Sequence, residues 1–231
     1  MNRALAALVA VGLGGAAYAV MVALTDRIFL DTAVPPGRGV RAALAMRDDV
    51  TPFQKWGSRN FTANYLERYY DAAWYFTQTS TDDCRQQFRL ALAEALAHYR
   101  AVDLFLLAHS NTFVTWVAGL PPALRRRLRL VYNTGCGDLG QGPLWLHLGA
   151  KAYVGHPGAS ASPVFYFYFL RRWTRGRRLG EVLDEANGLM DAALQRAELL
   201  SLGNLDAHEA FEQSRAFCCG DDRLRLQGVG R

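Results

Sequence analysis

Two apolar runs in the sequence end on side chains suited to acyl transfer. "VDLFLLAHSN" at 102–111 stops on His109, Ser110 and Asn111, and "LRLVYNTGCGD" at 128–138 stops on Cys136, flanked by Gly135 and Gly137 and followed by Asp138. A cysteine attacks carbonyl carbon only as its thiolate, and a neighbouring imidazole can generate or stabilise that form. Glycines on both sides would let the backbone turn sharply and leave amide hydrogens facing a developing oxyanion, a contribution of about 3 to 4 kcal/mol per donor. Asp138 is then a candidate for the wall of a substrate pocket. The plainer alternative makes His109 a loop residue and Cys136 a small packed side chain, the usual fate of a free cysteine.

The elements that must position these residues are legible from periodicity. Residues 80–100 begin with capping residues and carry Phe88, Leu92, Ala95 and Leu96 on one helical face. The continuously apolar "VDLFLLA" follows as a strand, "PPALRRRL" (121–128) as a short helix, "RLRLVYN" as a strand and "AKAYVGH" (150–156) as another. Upstream, residues 60–70 read as an amphipathic helix and "AAWYFTQ" (72–78) as a strand; downstream, 162–173 and 179–200 read as closing helices. Apolar strands separated by helices imply parallel strands covered on both faces, an α/β fold of three α/β/α layers. Sites in such sheets form beyond the carboxyl ends of strands, where His109, Cys136 and His156 fall. Neighbouring strands would bring His109 and Cys136 to within about 4.8 Å of backbone separation, or twice that with a strand between.

Composition sets the remaining bounds. With 231 residues, 51% hydrophobic and 20% charged, the chain is long enough for one α/β domain with a real core. The net charge is +5, with arginines clustered at 125–129 and 171–178. Without a nucleic-acid motif these read as solvated helix faces, and no nucleic-acid partner is expected. Residues 4–24 carry no charge and are long enough to cross a bilayer, which takes roughly 20 apolar residues. Residues 1–30 are therefore expected to be a signal anchor, or a cleaved signal peptide if "AYA" at 17–19 is processed. Residues 31–40 have linker composition, and the domain follows over 41–231. The globular part is expected outside the cytoplasm, anchored to the membrane through 4–24 or exported. The four cysteines, Cys84, Cys136, Cys218 and Cys219, show no metal-binding spacing, so no metal or cofactor is expected. Under oxidising conditions Cys84 could pair with Cys218 or Cys219, leaving Cys136 free.

The order of these elements resembles the caspase-like cysteine peptidase superfamily, which includes caspases, legumain, gingipains, clostripain and CHAT domains. The likeness covers roughly residues 70–195: an apolar strand ending in His109, another ending in Cys136 beside small residues, then "LGAKAYVGHPG", an aromatic helix and "RGRRLGEVLDEAN". It implies a His109 and Cys136 dyad, an oxyanion site from amides near Cys136 and from the segment after His109, and an α/β/α sandwich that cleaves peptide or protein substrates without a cofactor. Two positions depart from the family's pattern: Ser110 stands where a Gly usually follows the His, and Gly135 where an Ala usually precedes the Cys. A side chain at 110 could crowd the scissile carbonyl, so the alternative is an inactive caspase-like interaction module at the membrane. A second alternative takes "AHSNT" (108–112) as the nucleophile elbow of a serine α/β-hydrolase, with Ser110 attacking and His147, His156 or His208 as base.

Overall fold

A computed structural model describes residues 39–226 except 82, 109–111, 162–163 and 202–203, and for Phe53 and Thr112 only the backbone. The chain divides between Pro35 and Pro36, within the expected linker, and the first unit lies wholly outside the described residues. Among the described residues no helix is long and apolar enough to cross a membrane, and the 4–24 segment is not among them.

The domain is an α/β/α sandwich on a six-stranded sheet. Its elements run β1 (Arg41–Arg47), α1 (Pro52–Phe61), a π turn (Thr62–Leu66), α2 (Glu67–Tyr69), β2 (Ala72–Thr77), α3 (Arg85–His98) and β3 (Ala101–Leu107). Then come α4 (Thr112–Ala118), α5 (Pro122–Arg125), β4 (Leu128–Asn133), α6 (Gly142–His147) and β5 (Ala152–Gly155). The chain closes with α7 (Val164–Trp173), α8 (Leu179–Leu200), α9 (Ala207–Ser214) and β6 (Phe217–Gly220). The strand order is β2-β1-β3-β4-β5-β6; the first five are parallel and β6 pairs antiparallel with β5.

Alternation along the strands sorts the core into two layers. Ala42, Leu44 and Met46 of β1 and Val102, Leu104 and Leu106 of β3 pack with Phe88 and Leu92 of α3, Val117 of α4 and Trp145 of α6. On the other face Phe105 and Tyr132 meet the aromatic side of α7, with Tyr132 and Phe169 ring centroids 4.5 Å apart and Phe105 and Tyr166 6.1 Å apart. Phe61 of α1 stacks on Phe167 at 5.3 Å, so the run at 164–173 is a helix whose aromatics serve the sheet. Phe61, Tyr65, Leu66 and Tyr69, within the expected amphipathic helix at 60–70, are all buried, and a π turn over Thr62–Leu66 interrupts that helix.

Several elements are absent from the expectations drawn from sequence. β1, "RAALAMR", is rich in residues that favour helix, yet it lies between β2 and β3 with Ala42, Ala43 and Leu44 fully buried. Alanine suits this central position because the layers above and below are built of large rings and leave little room. The helices α4, α6 and α9 and the strand β6 are too short for periodicity to mark.

The amino end of the sheet is fastened by a buried ion pair. β4 carries one extra residue at Arg129, where the register with β3 slips, and its guanidinium turns onto Asp103 of β3 through contacts of 2.8 and 2.5 Å. Tyr70 donates to the same carboxylate at 2.5 Å, and Trp173 donates to the Tyr70 hydroxyl at 2.9 Å. Arg129 also donates to the carbonyls of Arg225 and Leu226, and Arg41 to that of Leu226, tying the C-terminal segment to the strand starts.

Candidate active site

The two runs that raised the question of chemistry are adjacent strands. β3 and β4 pair in parallel from Val102 with Leu128 to Leu106 with Asn133, and the Thr134 amide continues the ladder by donating to the Leu106 carbonyl at 2.7 Å. Beyond that point the chains remain in contact. A Cβ placed on Gly135 would lie 1.9 Å from the Ala108 carbonyl oxygen and 2.2 Å from an Asp138 carboxylate oxygen. An alanine therefore does not fit at this position unless those atoms shift. His109 and Ser110, which follow Ala108, lie outside the described residues.

Cys136 sits on the turn that follows, and of the four cysteines it alone is exposed. The Ser160 amide donates to its sulfur at 3.4 Å. Gly137 has φ +69°, which L side chains rarely adopt, and that conformation carries the chain from exposed Cys136 back to buried Asp138.

The glycine amides are not left over for an oxyanion, as the spacing had suggested. Gly135 donates to the Asn133 side-chain oxygen at 3.0 Å, and Gly137 donates to the Gly158 carbonyl at 2.9 Å. No acceptor among the described residues takes the Cys136 amide itself. Asp138 also differs from its expected place in a pocket wall. Its carboxylate is buried, accepting from the Asn133 amide at 2.6 Å and from the Gln141 amide, while its carbonyl accepts from the Tyr153 hydroxyl at 2.7 Å. An aspartate that holds two neutral amide donors braces the cysteine turn from beneath.

His156 ends β5 on this side of the sheet, but its ring is fully buried. Its Nδ1 lies 2.6 Å from the Ser214 carbonyl, which makes Nδ1 the protonated nitrogen, and Nε2 finds no partner among the described residues. Burial holds its pKa down at about 4, partly offset by the Ser214 contact, so the ring is neutral at pH 7. Its backbone contributes more directly: the His156 carbonyl accepts from Leu139, and Gly158 accepts from Gly137 while donating to Gln213. The loop after β5 thus joins the cysteine turn to α9.

The other sequence candidates are dispersed. His147 is at the end of α6 leading to the start of β5, far along the strands from the Cys136 turn. His208 is exposed on α9. No disulfide joins Cys84 to Cys218 or Cys219 in the fold. Cys84 lies 3.9 Å from Met46 of β1, whereas Cys218 and Cys219 are on β6, four strands across the sheet, or about 19 Å at ordinary strand spacing. Burial, and then Cys219 and the nearby aspartates, push the Cys218 thiol up to about 12, so it resists ionisation. Among the described residues no three ligand side chains gather to hold a metal ion. A scan against protein-family models found no match for the chain, and a search of curated proteins found none either.

Proposed function

We propose that the chain is a cysteine hydrolase of peptide bonds, with Cys136 as nucleophile and His109 as its acid and base. The observation that carries this reading is the pairing of β3 with β4. Ala108, the residue before His109 in the sequence, lies just past the end of β3 against Gly135, the residue before exposed Cys136. In the reaction the Cys136 thiolate adds to the scissile carbonyl, and the oxyanion takes hydrogen bonds from the Cys136 amide and the segment after His109. Imidazolium His109 protonates the leaving amine as the C–N bond breaks, which leaves a thioester on Cys136. His109 then removes a proton from water as it attacks the thioester; the C–S bond breaks, which releases the acid and restores the Cys136 thiolate and the His109 imidazolium. The braced Asn133, Asp138 and Gln141 layer holds the turn still while its tip stays accessible. The same reading keeps residues 4–24 as a membrane anchor, with the domain outside the cytoplasm.

The serine hydrolase alternative finds less support, since His156 is buried with Nδ1 engaged and His147 lies toward the other end of the strands. The inactive interaction module remains the rival, and one experiment separates the two. Alkylation of Cys136 is followed by mass spectrometry against pH in the full chain, with Cys218 as an internal control and His109→Ala alongside. A dyad gives rapid Cys136 labelling at pH 6 to 7 that falls about tenfold or more in the variant, while Cys218 stays unlabelled. Labelling of Cys136 that is slow, or that ignores His109, overturns the peptidase reading and leaves the binding module.

A further inference from the structure

We propose that the amino-terminal edge of the sheet is a docking surface for an anionic lipid bilayer. The proposal rests on charge placement and is independent of the cysteine chemistry. Because β1 to β5 are parallel, all begin at one edge, and exposed cations stand immediately ahead of three of them: Arg100 before β3, Arg126 and Arg127 before β4, and Lys151 before β5. Arg178 begins α8 beside the same edge, where Leu179 donates to the Leu224 carbonyl, and Arg225 lies against the Arg129 guanidinium through its carbonyl.

None of these six forms an ion pair among the described residues. Where they have partners these are neutral: Arg127 donates to the carbonyls that end α3, and Arg225 to that of Gly176. The acids nearby are fewer. Asp221 and Asp222 are exposed after β6, Glu181 is exposed in the first turn of α8 and pairs with Arg177, and the Asp71 carboxylate is occupied by the Val40 and Arg41 amides. At the opposite edge charges of both signs meet: exposed Asp49 pairs with Lys55 at 2.8 Å, and Asp83 stands two residues from exposed Arg85.

Lipid is favoured over other polyanions by where the chain joins the domain. The Val40 carbonyl accepts from the Arg100 and Ala101 amides, so residues arriving from the N-terminal side meet the sheet among these cations. Residues 4–24 read as a bilayer-length apolar segment, and the intervening stretch reaches about 50 Å at most when fully extended. Clustered Lys and Arg beside such a segment are drawn to acidic headgroups. Docked this way, the domain would turn the Cys136 edge away from the membrane by the length of a strand, about 20 Å.

The chain's two lysines make the test internal, since Lys151 is on the basic edge and Lys55 opens α1 near the other. The full chain is reconstituted with phosphatidylcholine vesicles, or with vesicles in which about a third of the lipid is phosphatidylglycerol, and acylation of the two lysines is compared by mass spectrometry. Docking lowers the Lys151 to Lys55 ratio about threefold or more with the anionic vesicles, and salt near 0.5 M restores it. Arg126→Glu combined with Arg178→Glu, both exposed, abolishes the protection. A ratio that is the same with both lipids overturns the proposal. So does a chain that floats with neither vesicle, whereas flotation with the anionic vesicles alone supports the edge and removes only the anchor. A single-stranded oligonucleotide that protects Lys151 where anionic lipid does not would assign the edge to nucleic acid and overturn the lipid proposal.

Discussion

The two edges of this sheet are fastened by different chemistry. At the amino edge the fastening is ionic: Asp103 and Arg129 are buried as a charged pair, with Tyr70, Trp173 and the C-terminal carbonyls taking up the remaining hydrogen-bonding capacity. At the carboxyl edge it is a single carboxylate held by neutral donors close in sequence: Asp138 accepts from the Asn133 and Gln141 amides, and backbone bonds join the Cys136 turn to the loop after β5. A buried ion pair stabilises little by itself but is costly to break, so it fixes register. A turn braced by neutral amide donors can hold a reactive tip at the surface without a buried ion pair.

The largest expected effect tests the ionic side. Asp103→Ala would leave Arg129 buried and unpaired, and stability measured by urea denaturation should fall by about 4 kcal/mol. The alkylation rate of Cys136 in the folded fraction should not change. A comparable loss of Cys136 reactivity would show that the edges are not independent.

Gly135→Ala tests the other side. Its methyl group would have to displace the Ala108 carbonyl and the Asp138 carboxylate, at a cost of about 3 kcal/mol or more, and it should alter Cys136 reactivity as well as stability. Gly137→Ala meets no atom within 4 Å and carries only its positive φ, so it should cost about 1 kcal/mol. Equal losses at the two glycines would refute the steric account.

Acid should act first on the carboxyl edge. Unfolded His156 titrates near the ordinary 6.5, while in the fold its value is about 4. Between those values the unfolded chain binds more protons, so stability is fully present above pH 6.5 and declines as pH falls toward 4. The loss is at most about 3 kcal/mol. A His156→Gln variant should flatten that part of the stability profile, and an unchanged slope would assign it to other groups. The smallest effect belongs to Tyr153→Phe, which removes the donor to the Asp138 carbonyl and should cost about 1 kcal/mol in the same denaturation assay.

The layers and the parallel strands were legible because continuous apolar runs such as "VDLFLLA" have no other stable place than a sheet covered on both sides. The long helix at 179–200 was equally plain, since its apolar positions recur over six turns. β1 was not, because alanine writes no periodic signal and its strand conformation follows from its neighbours.

At the candidate site the division falls within a single turn. Residue type and order alone marked Cys136 as a thiol at the end of a strand and the flanking glycines as a sharp reversal. Only the tertiary structure decided that the glycine amides have acceptors, that Asp138 points inward, that His156 is a neutral buried ring, and that Cys84 lies across the sheet from Cys218 and Cys219. Each of those outcomes depends on what a side chain meets from a distant part of the chain. The sequence encodes the residues that can bond; which of them face water and which face one another is settled when the strands align.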